Sequence, residues 1–219
     1  MADPTNTSLI EFNDWTLRVR EPLETPSRLL LLIHGLTGDE NVMWVFAKDL
    51  PENYWMIAPR APHTAEPFGY SWRPFEPGTV GRPTFEQLLP AAETLIRLVD
   101  EYQASVELDA PEFDVMGFSQ GAAMSSVLAF LYPQRVQKIG ILSGFVPSGV
   151  DEYIASRPLA GKKIFVAHGT KDDTVPVERA RSSMDILRNA GAEITYCEDD
   201  VGHKVSLNCM RALRAYLQD

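Results

Sequence analysis

Short apolar runs separated by helix-patterned stretches recur along this chain. The runs at 29–33, 54–58, 113–116, 138–142, 163–167 and 194–197 are four or five residues long and largely apolar. Runs of that length and character suit strands buried on both faces. Between them lie helical patterns at 85–103 and 177–190, and an Ala-rich apolar stretch at 122–132 that Pro133 stops. A last amphipathic pattern carries Leu207, Met210, Leu213 and Leu217. Strand alternating with helix predicts an α/β fold: a mostly parallel sheet covered on both faces. The start of the chain differs, because Ile10-Glu11-Phe12 and 15–19 flank Asn13-Asp14 and read as an antiparallel edge hairpin. No repeat, low-complexity tract or linker interrupts the pattern. At 219 residues and 45% apolar, a single domain over 1–219 is expected.

Immediately after the run at 113–116 comes Gly117-Phe118-Ser119-Gln120-Gly121, a G-x-S-x-G sequence between a strand and a buried helix. A strand turning sharply into a helix forces the tip residue into a strained conformation, and neighbouring side chains would collide with the turn. Glycines remove the collision. The tip hydroxyl then stands at a helix start, where unpaired N–H groups face any developing negative charge. That is a suitable place for an acyl-transfer nucleophile.

A serine hydroxyl needs a base within reach and a carboxylate to orient that base. Of the four histidines, His203 lies on a loop between the strand at 194–197 and the last helix, a good position for a base. His34 and His168 each end an apolar strand and precede a glycine, where an imidazole serves local backbone groups. His63 falls in the Pro-rich 59–63 and reads as a loop residue. Candidate acids are Asp172 and Asp173, adjacent on the loop after the strand at 163–167. Asp173 alternatively supports the start of the helix at Pro176, and Asp199 and Asp200 read as a solvated loop face. The chain order Ser, Asp, His is the one that separates α/β hydrolases from the other serine-triad arrangements.

The G-x-S-x-G residues, His168-Gly169 with Asp172 and Val175-Pro176, and Gly202-His203 together resemble the phospholipase/carboxylesterase family of α/β hydrolases, which includes the acyl-protein thioesterases. The segment 32–40 resembles that family's oxyanion loop, and Ala58-Pro59-Arg60-Ala61-Pro62 with Tyr70-Ser71-Trp72 resembles the stretch after its next strand. The likeness covers roughly 29–217. It implies an α/β-hydrolase fold without a separate cap domain, and a triad of Ser119, Asp172 and His203. Preference for Asp172 over Asp173 rests on the resemblance alone. It also implies an oxyanion hole formed by the N–H groups of Leu36 and Gln120, fixed donors for the charge of a tetrahedral intermediate. No cofactor is implied, and no metal site is expected, since the histidines lack ligand spacing.

The segment 59–83 is the longest irregular stretch and carries Phe68, Tyr70, Trp72 and Phe75. Those aromatics either pack on the sheet edge or wall an acyl pocket. Trp72, which the resemblance brings beside the nucleophile, is the first pocket candidate, with Phe145 and Val175 near the strand ends. A net charge of −10 argues against nucleic acid and anionic membrane surfaces as partners. Residues 1–9 are polar and no apolar run approaches spanning length, so a soluble, cytoplasmic protein is expected. In that setting Cys197 and Cys209 are expected to be reduced thiols.

The expected activity is a carboxylesterase with an open, shallow site for short to medium acyl esters, since no insertion is large enough for a lid domain. A thioesterase or lysophospholipase is the alternative within the resemblance. A non-hydrolytic small-molecule receptor on the same fold is the reading from another class. The expected partner is a small ester or thioester, and an apolar rim around a shallow site would allow a homodimer.

Overall fold

A computed structural model describes residues 6–25, 28–47, 50–76 and 82–218. Among the described residues, eight strands form one sheet: β1 (Ser8–Phe12), β2 (Trp15–Arg20), β3 (Arg28–Ile33), β4 (Tyr54–Pro59), β7 (Phe113–Phe118), β8 (Val136–Leu142), β9 (Lys163–Gly169) and β10 (Glu193–Asp199). A separate ribbon pairs β5 (His63–Thr64) with β6 (Tyr70–Ser71). The helices are α1 (Trp44–Ala47), α2 (Phe85–Ser105), α3 (Gln120–Leu131), α4 (Asp151–Ile154), α5 (Val177–Asn189) and α6 (Leu207–Gln218). Strand order is β1-β2-β4-β3-β7-β8-β9-β10. The pairs from β4 to β10 are parallel, and the β1–β2 hairpin joins β4 antiparallel. This is the fold the alternating pattern predicts.

The central strands are apolar on both faces because each face has its own helices. Leu29, Leu31 and Ile33 pack with residues of α2, α3 and α5, whereas Leu30 and Leu32 pack with α1 and α6. Long α2 is started by a capping box, Thr84 and Gln87 each bonding the other's backbone N–H. From β3 the chain moves outward to β4, then crosses back to place β7 on the other side of β3. In open α/β sheets such a reversal opens a crevice at the carboxyl ends of the strands, where ligands bind. β7 delivers Ser119 to that point.

The cysteines differ from expectation. Cys197 near the end of β10 and Cys209 in the first turn of α6 form a disulfide, with Cα atoms 5.6 Å apart. The strand-loop-helix turn folds the two positions back onto each other, which a separation of 12 outside any C-x-x-C motif conceals. Since disulfides persist in oxidising surroundings, the bond withdraws one ground for a cytoplasmic location. Among the described residues no helix is long and apolar enough to cross a membrane.

Candidate active site

Ser119 sits between β7 and α3 with φ 55° and ψ −114°, a left-handed conformation unusual outside glycine. Its N–H donates to Leu142 O at 2.9 Å, and its carbonyl accepts from Ala122 at 3.0 Å, so sheet and helix together impose the strained turn. The flanking glycines are required by close approach. A Cβ on Gly117 would lie 2.1 Å from Gly121 O, and one on Gly121 would lie 2.0 Å from Ile33 O.

His203 and Asp172 come from the loops after β10 and β9. Those loops touch because Gly169 carries no side chain, a Cβ there falling 2.2 Å from Val201 O. Backbone bonds then join them, Thr170 N–H to Asp199 O at 2.9 Å and Lys171 N–H to Val201 O at 3.0 Å. His203 Nδ1 lies 2.7 Å from Asp172 Oδ2, and the Asp172 side chain is wholly buried. Oδ1 of Asp172 accepts from the N–H groups of Val175 at 2.8 Å and Thr174 at 3.0 Å. Asp173 is exposed, and Asp200 pairs with Lys171 on the surface. The second residue of the G-x-S-x-G motif also touches this loop, the Phe118 ring packing on His203 with centroids 4.9 Å apart.

Leu36 lies on the loop after β3, and Gln120 begins α3. Among the described residues neither backbone N–H donates to a protein acceptor. The Leu36 loop is pinned on both sides by Tyr70, which accepts from Thr37 N–H and donates to Gly38 O, both at 3.0 Å. Below it, Arg60 grips buried Glu40 through two nitrogens at 2.8 and 2.9 Å. Burial, the largest single influence, would raise the Glu40 carboxyl, but the Arg60 bonds and charge together with hydrogen bonds from its own backbone and Asn41 hold the group below the usual carboxylate range. His34 accepts from Ala61 N–H at Nε2 and bonds Gly35 O at Nδ1, 2.7 Å away. It serves backbone groups only, as its strand-end position suggests. Gln120 is fixed through its side chain, Oε1 accepting from Trp72 N–H at 3.0 Å and Nε2 donating to Ser71 Oγ at 3.2 Å.

Ser119, His203, Leu36 and Gln120 line one cavity of about 310 Å³, together with Thr37, Pro83, Thr174 and the apolar walls Phe145 and Val175. Trp72 does not line it. Its ring is buried against His34, with Nε1 donating to His34 O at 2.8 Å, so it supports the strand end instead of walling the pocket. Phe68 is two-thirds exposed, and residues 77–81 of the aromatic segment lie outside the described residues.

The profile of the phospholipase/carboxylesterase family matches residues 16–219. The chain belongs to that family. Family membership makes it a serine hydrolase. Carboxylesterase SOBER1 of Arabidopsis thaliana is 28% identical over 205 residues, which span 86% of this chain and 89% of that one. Acyl-protein thioesterase 1 of Debaryomyces hansenii is 27% identical over 195 residues, 80% and 82% of the two chains. Among solved structures, a carboxylesterase from Mesorhizobium loti superposes with a TM-score of 0.83 at 22% identity, over 97% of this chain and 99% of its own. That last likeness speaks for the fold.

Within this phospholipase/carboxylesterase framework, several groups around the site leave little trace in a linear reading. Phe118 occupies a wild-card position of its motif, and Glu40 with Arg60 join two loops 20 residues apart. Arg179 of α5 packs on one pocket wall, its guanidinium 3.5 Å from the centroid of the Phe145 ring. The one available signal was Glu40, a carboxylate beside an apolar strand exit.

Proposed function

We propose that this protein is a serine carboxylesterase that hydrolyses short to medium acyl esters through an acyl-enzyme on Ser119. The observation that carries the reading is the shared cavity: a hydroxyl on a strained turn, an imidazole bonded to a buried carboxylate, and two unbonded amides face the same space. Nδ1 of His203 donates to Asp172, which leaves Nε2 free to accept the Ser119 proton. Oγ then bonds the substrate carbonyl carbon, and the resulting oxyanion is held by the Leu36 and Gln120 amides. Collapse breaks the carbon–oxygen bond of the ester, and His203 returns its proton to the leaving alkoxide. Water, deprotonated by His203, attacks the acyl-serine, and the carboxylic acid departs with Ser119 restored.

Chain-length preference follows from size. At about 310 Å³, with Phe145 and Val175 as apolar walls, the cavity is at the small end of ligand pockets, roughly 300–1,000 Å³. Kinetics on acetyl, butyryl, octanoyl and palmitoyl p-nitrophenyl esters should give kcat/KM highest at butyryl or octanoyl. An optimum at palmitoyl would overturn the short-chain reading. The 27% identity to an acyl-protein thioesterase favours one second reading, a thioesterase. A matched pair of butyryl thioester and oxygen ester decides it: a strong preference for the thioester would replace the carboxylesterase.

A further inference from the structure

His168, the penultimate residue of β9, has a wholly buried side chain. Its Nε2 lies 2.7 Å from Val175 O, and because a carbonyl only accepts, Nε2 carries the proton. The same nitrogen lies 3.3 Å from Asp172 Oδ2, the oxygen that faces His203. Nδ1 is buried without a hydrogen-bond partner among the described residues. Protonating it would bury an N–H with no acceptor, and burial indeed pushes this imidazole below the ordinary histidine range. Around it stand Asp172 and His203 on their loops and Glu198 at the paired position of β10, itself bound to Arg181 of α5. Ser143, which follows the last residue of the neighbouring strand β8, is uncharged.

Val175 therefore works from both sides of one residue. Its carbonyl receives His168, and its N–H is given to Asp172 Oδ1 at 2.8 Å. We propose that His168 is a positioning residue for the catalytic acid: it anchors the 172–175 turn and aims the Asp172 carboxylate at His203. The proposal rests on the triad reading above. With the imidazole N–H gone, the turn loses its anchor, and the Asp172 carboxylate is no longer held in line with His203 Nδ1.

The test compares the intact protein with His168→Leu, which lacks a donor, and His168→Gln, whose amide presents N–H near the Nε2 position. Substrate is a p-nitrophenyl ester whose turnover has first been shown to vanish in Ser119→Ala; absence of that dependence would fail the triad reading and not this one. For the Leu variant, kcat should fall roughly 10- to 100-fold with KM within about threefold. The Gln variant should recover most of the rate. If the Leu variant does not fold, His168→Asn, whose amide is too short to reach the Val175 carbonyl, takes its place. Equal losses in donor-bearing and donor-lacking variants would overturn the proposal, as would full activity in the donor-lacking one.

Discussion

Asp172→Asn changes one atom of a buried group, and the structure dictates which way the new amide turns. The Val175 and Thr174 N–H groups, 2.8 and 3.0 Å from Oδ1, require an oxygen there. The Asn carbonyl must face them, and its NH₂ therefore faces His203 across the 2.7 Å separation now held by Oδ2. Two donors cannot share that line, so His203 switches to the tautomer with its proton on Nε2. In that state it cannot take the Ser119 proton. A tautomer error of this kind costs roughly 10⁴ in kcat, about 5.4 kcal/mol of barrier. Steady-state kinetics should show that loss with KM within about threefold, since Asp172 does not line the cavity. Exposed Asp173, changed to Asn, should remain within about twofold of the intact protein. Full activity in Asp172→Asn, or collapse in Asp173→Asn, would refute the assignment.

Three further outcomes follow from the packing. Reducing the Cys197–Cys209 bond reopens a loop with a sequence separation of 12, and should lower unfolding free energy by roughly 3 kcal/mol in urea titrations. Because His203 lies inside that loop, kcat should fall as well; identical midpoints with and without reductant would contradict this. Gly121→Ala drives a Cβ to 2.0 Å from Ile33 O and should abolish soluble expression, whereas Gly161→Ala, with φ +78° but open space around it, should lower stability by only about 1–2 kcal/mol. Burial holds both His34 and His168 below their ordinary range, so the native state resists protonation while the unfolded chain takes protons below about pH 6.5. Their contribution is complete above that pH and is lost as pH falls, with a limiting slope near 2.7 kcal/mol per unit for the two; unfolding midpoints flat from pH 7 to 5 would contradict it.

Much of this was legible in the chain because the signals are local. Unbroken apolar runs mark strands buried on both sides, and the two glycines around Ser119 answer a collision that any strand-to-helix elbow creates. The pairing of Phe12 with Trp15 follows from the Asn13-Asp14 turn. What stayed hidden depends on where loops meet. Trp72 lies on an irregular segment whose path the apolar pattern does not fix, and it turns inward to His34 and Gln120. The disulfide needs the return of α6 against β10, which no spacing announces. The choice between Asp172 and Asp173 turns on which side chain the 172–175 turn buries, a property of three-dimensional closure and not of the adjacent letters.

The central claim is a covalent acyl-enzyme on Ser119. The direct measurement is mass spectrometry of the intact protein and its peptides after reaction with a fluorophosphonate, paired with p-nitrophenyl butyrate turnover in Ser119→Ala. One equivalent of label on the peptide containing Ser119, and a fall in kcat of at least roughly 10⁴ in the variant, is the predicted result. Label on another residue, or turnover in Ser119→Ala equal to that of the intact protein, would contradict the account.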